Sequence, residues 1–188
     1  MALLSWFRRG AAQGPCTWPY TPDERDRVVP LADVPRSSIG APVPTLLASE
    51  GTAVLLYLTT EMPEDWDGSV QVVSADSPGM LVASIEFRWP DSQIMGLPWD
   101  ETFIAHPLAS RGLHPNGAFT VESSSWIRAL ERMSSVHPRH DPQRFFRKTH
   151  YVFSFVDTTF ECVAEDITVS VHRGSLRDAM VAVASRLE

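Results

Sequence analysis

The stretch from His150 to Val171, HYVFSFVDTTFECVAEDITVSV, decides the fold. It is the densest run of apolar, β-branched and aromatic residues in the chain, and its apolar side chains alternate on both sides of a turn at Asp157-Thr158. Alternation with a period of two residues predicts β-strands. We therefore expect three consecutive strands whose apolar faces carry, in order, Tyr151, Phe153 and Phe155; Phe160, Cys162 and Ala164; and Ile167, Val169 and Val171.

Two helices are predicted on either side of this stretch. The first covers about residues 124–136, where a serine cluster supplies an N-cap and apolar residues such as Trp126 recur at helical spacing. The second covers 175–187 and opens with a capping-box-like pair, Ser175 and Asp178. Each helix has one apolar face, so both should pack on a sheet.

The remaining chain predicts strands joined by turns. Strands are expected at 28–34, 43–49, 52–60, 69–74, 80–89, 102–106 and 117–122, with loop over 90–99. Helices between these strands are largely missing, which argues against a parallel architecture. The predicted fold class is α+β: a mainly antiparallel, strongly bent β-sheet or a two-layer β structure with two helices packed on it. We expect an irregular lead-in over 1–39 and a single domain over 40–188.

The charges are unevenly distributed along an acidic chain. The net charge is −7, and ten acids with one base lie between Glu50 and Glu101, whereas seven bases with three acids lie between His106 and His150. Phosphate neutralisation needs a basic surface, so nucleic acid is not an expected partner. The asymmetry and the six tryptophans suit a protein interface.

Location follows from the cysteines and the hydropathy pattern. The two cysteines, Cys16 and Cys162, do not make a disulfide framework, which fits a reducing compartment. The opening run MALLSWFRRG has its arginines after the apolar residues, unlike a secretory signal. No apolar stretch reaches the roughly 18 residues of a membrane span. We expect a cytoplasmic protein without a membrane partner.

Metal sites have two weak candidates. His137 and His140 have H-x-x-H spacing, and His150 follows nearby, but a proline between the first two leaves their geometry open. The acidic turn at 61–68 has four carboxylates, although its spacing does not match a helical calcium loop. No cofactor is predicted.

Catalytic and binding candidates lie around the same connector. Cys162 could be a nucleophile, with His150 as base and Asp157 or Glu161 as the orienting carboxylate. The competing interpretation is that Cys162 packs in the core, because it shares a strand face with Phe160. Basic residues interleaved with aromatic ones could bind an anion, and the candidates are Arg139, Arg144, Arg147 and Lys148.

Two runs also resemble a known family. GAFTVESSSWIRALERMSSVHPRH and THYVFSFVDTTFECVAEDI resemble segments of a family of uncharacterised bacterial proteins of similar size. In that family a histidine often precedes the aspartate of the hairpin turn, and Val156 stands at that position here. The resemblance covers the second half of the chain and implies no known activity.

Three functions remain open on this basis. The leading hypothesis is a non-catalytic protein that binds another protein, as an accessory or immunity-type factor. The first alternative is a small hydrolase or metal-dependent enzyme that uses the region from His137 to His150 with Asp157, Glu161 or Cys162. The second alternative is a small-ligand-binding protein with a pocket between sheet and helices.

Overall fold

A computed structural model describes residues 18–60 and 72–187. The predictions for a helical turn at 2–9, for Cys16, for the acidic turn at 61–68 and for most of the strand at 69–74 lie outside these residues. The elements in chain order are β1 (Arg27–Pro30), β2 (Thr45–Ala48), β3 (Thr52–Leu58), β4 (Met80–Arg88), β5 (Ser92–Gly96), β6 (Gly117–Glu122), α1 (Ser125–Ser134), β7 (Thr149–Ser154), β8 (Thr159–Ala164), β9 (Asp166–Gly174) and α2 (Leu176–Ala184).

The strands form two antiparallel sheets, so the α+β class and its two-layer form are confirmed. The five-stranded sheet has the order β1-β6-β7-β8-β5, and the four-stranded sheet has the order β2-β3-β4-β9. A single residue, Glu165, carries the chain from β8 in one sheet to β9 in the other. The stretch that decides the fold therefore supplies the centre of one sheet and the edge of the other.

The core between the sheets is built from the predicted alternating faces. Tyr151, Phe153, Phe155, Phe160, Cys162 and Ala164 face residues of β3 and β4, and Ile167 and Val169 pack at the margin. The opposite face of the five-stranded sheet carries Val152 and Val163, which pack with Trp126 of α1. A third cluster joins α2 to the outer face of the four-stranded sheet. Both helices thus cover a sheet, as their apolar faces require.

Both helices begin at the predicted caps. The Ser124 side chain accepts a hydrogen bond from the Ile127 N–H at α1, and Ser175 accepts one from the Asp178 N–H at α2. These bonds satisfy backbone donors that have no partner inside the helix. None of the helices in the described ranges is long and apolar enough to cross a membrane.

Three local predictions were wrong. Residues 72–74, the described part of the strand predicted at 69–74, belong to no strand. The segment predicted as loop contains β5, which forms because its backbone pairs with β8 from Ser92 to Gly96. The segment predicted as a strand at 102–106 is a 3-10 helix, Asp100–Ala105. In a 3-10 helix residues three apart lie above one another, and Phe103 and His106 are both buried and stack with centroids 5.6 Å apart. Tertiary burial of these two rings overrides the local pattern.

Candidate functional site

A buried carboxylate lies at the centre of the five-stranded sheet. Glu161 is on β8 and is only 1% exposed. Its neighbours Phe160 and Cys162 face the inter-sheet core, so Glu161 faces the opposite side, under α1 and the 3-10 segment. A carboxylate removed from water costs several kcal/mol unless other groups replace its hydration.

Four hydrogen-bond donors replace that hydration. The Trp18 indole N–H donates to Oε1 at 2.8 Å, and His106 Nε2 lies 3.2 Å from the same oxygen. The Tyr20 hydroxyl donates to Oε2, and His150 Nε2 lies 2.8 Å from it. Each carboxylate oxygen therefore has two partners. We call these five residues together with Ser124 the Glu161 network.

The backbone decides the proton positions on His106. The Leu108 N–H donates to His106 Nδ1 at 3.1 Å. Because Nδ1 accepts this bond, the ring proton lies on Nε2, where it points at the carboxylate. The ring is thus a neutral donor, and both of its nitrogens are satisfied.

His150 joins the carboxylate to the start of α1. Its Nε2 faces Glu161, and its Nδ1 lies 2.9 Å from Ser124 Oγ. The same oxygen accepts the Ile127 N–H at 3.3 Å. A neutral His150 with its proton on Nε2 accepts the Ser124 hydroxyl proton, so every group in this chain of bonds has a partner.

The network holds Glu161 ionised. Burial alone raises the pKa of the carboxyl, but the hydrogen bonds from His106 and His150 outweigh it and hold the pKa below its usual range. Burial and the charge of Glu161 raise the pKa of the Tyr20 phenol far above its usual range. Tyr20 therefore remains a hydroxyl donor.

The serine, histidine and glutamate have the composition of a catalytic triad, but their bonding is that of a helix cap. Ser124 is only 3% exposed. The next backbone N–H, from Ser125, would be the natural donor to an oxyanion, yet it already donates to Asp26 Oδ1 at 2.7 Å. Asp26 is itself buried, and a buried carboxylate there opposes a second negative charge.

The network is also a poor metal site. His106 and His150 both direct protonated Nε2 atoms at Glu161, and a metal requires a free lone pair there. Within residues 18–60 and 72–187, no three His, Cys, Asp or Glu side chains are arranged to hold a metal ion. The arrangement does what a satisfied buried polar network does: it fixes one geometry for the elements that meet at it.

The predicted catalytic residues lie apart from one another. Cys162 and His150 are on opposite faces of the five-stranded sheet. Burial raises the pKa of the Cys162 thiol to about 12, which keeps it protonated. Asp157 is exposed on the turn between β7 and β8. Of the candidates, only His150 and Glu161 are brought together.

The predicted metal ligands are also separated. His137 is exposed, and its Nδ1 accepts the Arg139 N–H. His140 Nε2 lies 2.8 Å from Glu131 on α1. His150 is buried in the Glu161 network. The connector thus uses its histidines for local hydrogen bonds.

The basic candidates are divided between solvent and ion pairs. Lys148 is buried and donates to the Trp89 carbonyl at 2.7 Å, with Asp91 at 3.4 Å. Arg144 pairs with Asp91 and lies over the Phe145 ring. Arg139 and Arg147 are exposed. Two of the four cations therefore stabilise the connector itself.

Sequence reasoning missed Trp18, Tyr20 and His106. Trp18 lies 143 residues from Glu161 along the chain, and His106 lies 55 residues away. The sequence feature that could have indicated the network was Glu161 itself, a charged residue in the middle of an otherwise apolar strand. A buried carboxylate requires hydrogen-bond donors, but only the fold shows which residues supply them.

A different feature lies at the surface. The segment 95–104, from the end of β5 through the 3-10 helix, exposes Leu97 (59%), Trp99 (41%) and Ile104 (91%). It is held in place from the β7–β8 turn, because Thr158 Oγ1 donates to the Gly96 carbonyl and the Asp100 N–H donates to the Val156 carbonyl. Two exposed acidic residues, Asp100 and Glu101, lie within the segment, and a third, Asp157, lies on the adjacent β7–β8 turn.

A cavity of about 670 Å³ opens between the two sheets at the end where β3, β6 and β7 meet. Tyr57 and Phe153, whose side chains belong to the core between the sheets, are among its lining residues. Arg36 and His114 are the basic residues in the wall, and no carboxylate from residues 18–60 or 72–187 lines it. This combination is distinct from the Glu161 network.

Comparison with known proteins gave no relative: no family model, no curated protein and no solved structure matches this chain. The functional argument therefore rests on the geometry alone.

Proposed function

We propose that this protein acts by binding another protein through the segment 95–104. The observation that carries the proposal is the exposure of Leu97, Trp99 and Ile104 on a segment whose backbone is hydrogen-bonded to the β7–β8 turn. Large apolar side chains on a fixed backbone lose little conformational freedom on binding, which favours affinity. An accessory or immunity-type role in the cytoplasm is the form of this function that the sequence favours.

The charges at the segment indicate which kind of partner surface would fit it. Asp100 and Glu101 within the segment, and Asp157 on the β7–β8 turn that is bonded to it, are exposed carboxylates. A partner that fits has an apolar pocket with Lys or Arg at its rim. Charge pairs at a solvent-exposed rim accelerate association and are screened by salt, so binding should weaken as the ionic strength rises.

The test compares two substitutions of similar chemistry. Ile104→Glu changes a side chain that is 91% exposed within the segment, and Val136→Glu changes one that is 87% exposed beyond α1. A partner captured by the wild-type protein and identified by mass spectrometry is then measured against each purified variant by calorimetry. We expect Ile104→Glu to weaken binding at least about tenfold, since a buried charge at a hot spot costs more than 1.4 kcal/mol, and Val136→Glu to leave it unchanged.

The proposal fails if captured partners bind Ile104→Glu and Leu97→Glu as tightly as the wild type. It also fails if the wild-type protein, applied to a lysate of its source at low ionic strength, retains no protein.

Small-ligand binding is a second candidate, favoured by the inter-sheet cavity. The aromatic lining residues and the cation Arg36 fit an apolar molecule with an anionic head. A medium-chain fatty acid is the probe, with Arg36→Glu as the variant and Arg111→Glu as the control outside the cavity. Saturable binding of the fatty acid to the wild type and to Arg111→Glu, but not to Arg36→Glu, would support this function. A wild-type protein that does not bind the fatty acid would contradict it.

A further inference from the structure

Strand β9 leaves a long edge open. It pairs with β4 from Asp166 to Gly174, and among the described residues no strand pairs with its other side. The other terminal strands are shorter, and β1 ends in a proline. Exposed edges invite pairing with another chain unless charge, proline or a bulge blocks them. The interior of β9, ITVSV, contains none of these blocking residues.

We propose that β9 pairs antiparallel with β9 of a second copy, about a two-fold axis that passes beside Val169. The two four-stranded sheets then become one continuous sheet. Residues opposite each other in an antiparallel pair lie on the same face. In this register, each odd-numbered residue on the core side of β9 meets another from the core side, and each outer residue meets an outer residue.

The polar ends of β9 complement each other in this register. Asp166 faces the partner's His172, whose ring can donate a hydrogen bond to the carboxylate, and Glu165, one residue before the strand, faces the partner's Arg173, which has the opposite charge. The two-fold axis repeats both pairs at the other end. Opposite charges directly across a ladder stabilise it, and like charges destabilise it.

The uncharged positions also match. Ile167 faces the partner's Val171, and Val169 faces its own copy, so the core side is β-branched throughout. Thr168 faces the partner's Ser170 on the outer side. Cross-strand pairs of these types are favourable. Moving the axis by one residue, to Ser170, would place Ile167 opposite the partner's Arg173 and Asp166 opposite Gly174, so the polar pairs would be lost.

Incomplete burial at this edge agrees with the proposal. Val171 is 47% exposed although it lies on the core side of the sheet, and Ile167 and Val169 are half-buried. The five-stranded sheet therefore covers the edge row only in part. A second β9 would bring its own β-branched side chains against this row and remove apolar surface from water.

The test exchanges charges on β9 and measures dimerisation by sedimentation velocity over a series of protein concentrations. The wild-type protein should form a dimer of twice 20.9 kDa. His172→Glu places a carboxylate opposite Asp166 at both ends and should weaken the dimer about tenfold or more. Asp166→Lys combined with His172→Glu supplies opposite charges and should restore the dimer. His137→Glu makes the same change at an exposed histidine beyond α1 and should leave the dimer intact.

Hydrogen exchange supplies a second readout. The β9 amides of the wild type should become more protected as the protein concentration rises, and those of His172→Glu should not. A wild-type protein that stays monomeric at 200 times the concentration of the most dilute sample, or a His172→Glu variant that dimerises like the wild type, would overturn the proposal. Neither result bears on the segment 95–104, whose test uses different variants and a different partner.

Discussion

Glu161 and its neighbours on β8 require different surroundings for their side chains. Phe160 and Cys162 need only an apolar environment, which any close-packed core supplies. Glu161 needs donors in fixed directions, and it has two on each oxygen. A group this dependent on its partners should be sensitive to small chemical changes.

Glu161→Gln tests this dependence, because it keeps the shape and removes the charge. The new amide presents its own N–H groups to donors that previously found an oxygen, so two or more donors lose their partner. We expect the free energy of unfolding to fall by about 3 kcal/mol, measured by urea denaturation. Glu122→Gln is the matched control on an exposed carboxylate, with a change within about 0.5 kcal/mol. Equal effects of the two substitutions would contradict a structural role for the network.

The lowered pKa of Glu161 also predicts the acid stability. The folded-state pKa lies below the ordinary value of 4.5. Between the folded-state and the ordinary pKa the unfolded chain binds the proton and the folded chain does not, so this stabilisation is complete above pH 4.5 and is lost as the pH falls through the folded-state pKa. The difference in unfolding free energy between wild type and Glu161→Gln should therefore shrink as the pH falls below 4.5. A difference that stays constant with pH would show that Glu161 is not ionised in the fold.

At the scale of elements, α1 shows how local and tertiary signals combine. The serine cluster predicted the helix start from sequence, and Ser124 is the N-cap. The tertiary structure adds a second use of the same hydroxyl, the bond to His150 Nδ1. Ser125, the next residue, is also buried, but its Oγ has no hydrogen-bond partner.

This contrast gives a matched pair of substitutions on adjacent serines. Ser124→Ala removes the cap and leaves His150 Nδ1 without a donor, so we expect a loss of about 2 kcal/mol in the free energy of unfolding. Ser125→Ala removes an oxygen that makes no bond and should be neutral within about 0.5 kcal/mol. Thermal and urea denaturation of both variants measure the difference. A larger loss at Ser125 would mean that the cap is assigned to the wrong residue.

The elements also show where sequence patterns fail. β5 reads as loop because Ser92, Gln93 and Gly96 carry no strand signal, and it becomes a strand only through its pairing with β8. Residues 102–106, most of which lie in the 3-10 helix, were predicted as a strand because five residues are too few to separate the two periods. In both places a partner outside the segment decides its conformation.

At the scale of the whole molecule, the Glu161 network connects distant parts of the chain. Trp18 and Tyr20 come from the segment before β1, His106 follows the 3-10 helix, and His150 and Glu161 lie on neighbouring strands of the sheet. The region expected to be an irregular lead-in therefore contributes two of the four donors. It also supplies β1, which pairs with β6.

Tyr20→Phe should release this segment from the sheet. The substitution removes one donor to Oε2, and we expect a loss of about 1 to 2 kcal/mol in the free energy of unfolding. Trypsin should then cleave faster after Arg25, which lies in the turn before β1. Tyr57→Phe is the control. It removes the hydrogen bond that the Tyr57 hydroxyl donates to the Pro35 carbonyl, and it should leave cleavage after Arg25 unchanged. In the Glu161→Gln background the cost of Tyr20→Phe should be smaller, since coupled residues are not additive.

The sequence by itself determined the strands from β7 to β9, both helices with their caps, and the burial of Cys162, because alternation and capping are local properties of the chain. Only the tertiary structure decided the division into two sheets, the strand β5 and the donors around Glu161. The physical reason is distance along the chain. A carboxylate can be recognised as buried from its apolar neighbours, whereas the groups that replace its water come from as far as 143 residues away and meet it only when the segment before β1 and the 3-10 segment pack on the same face of the sheet.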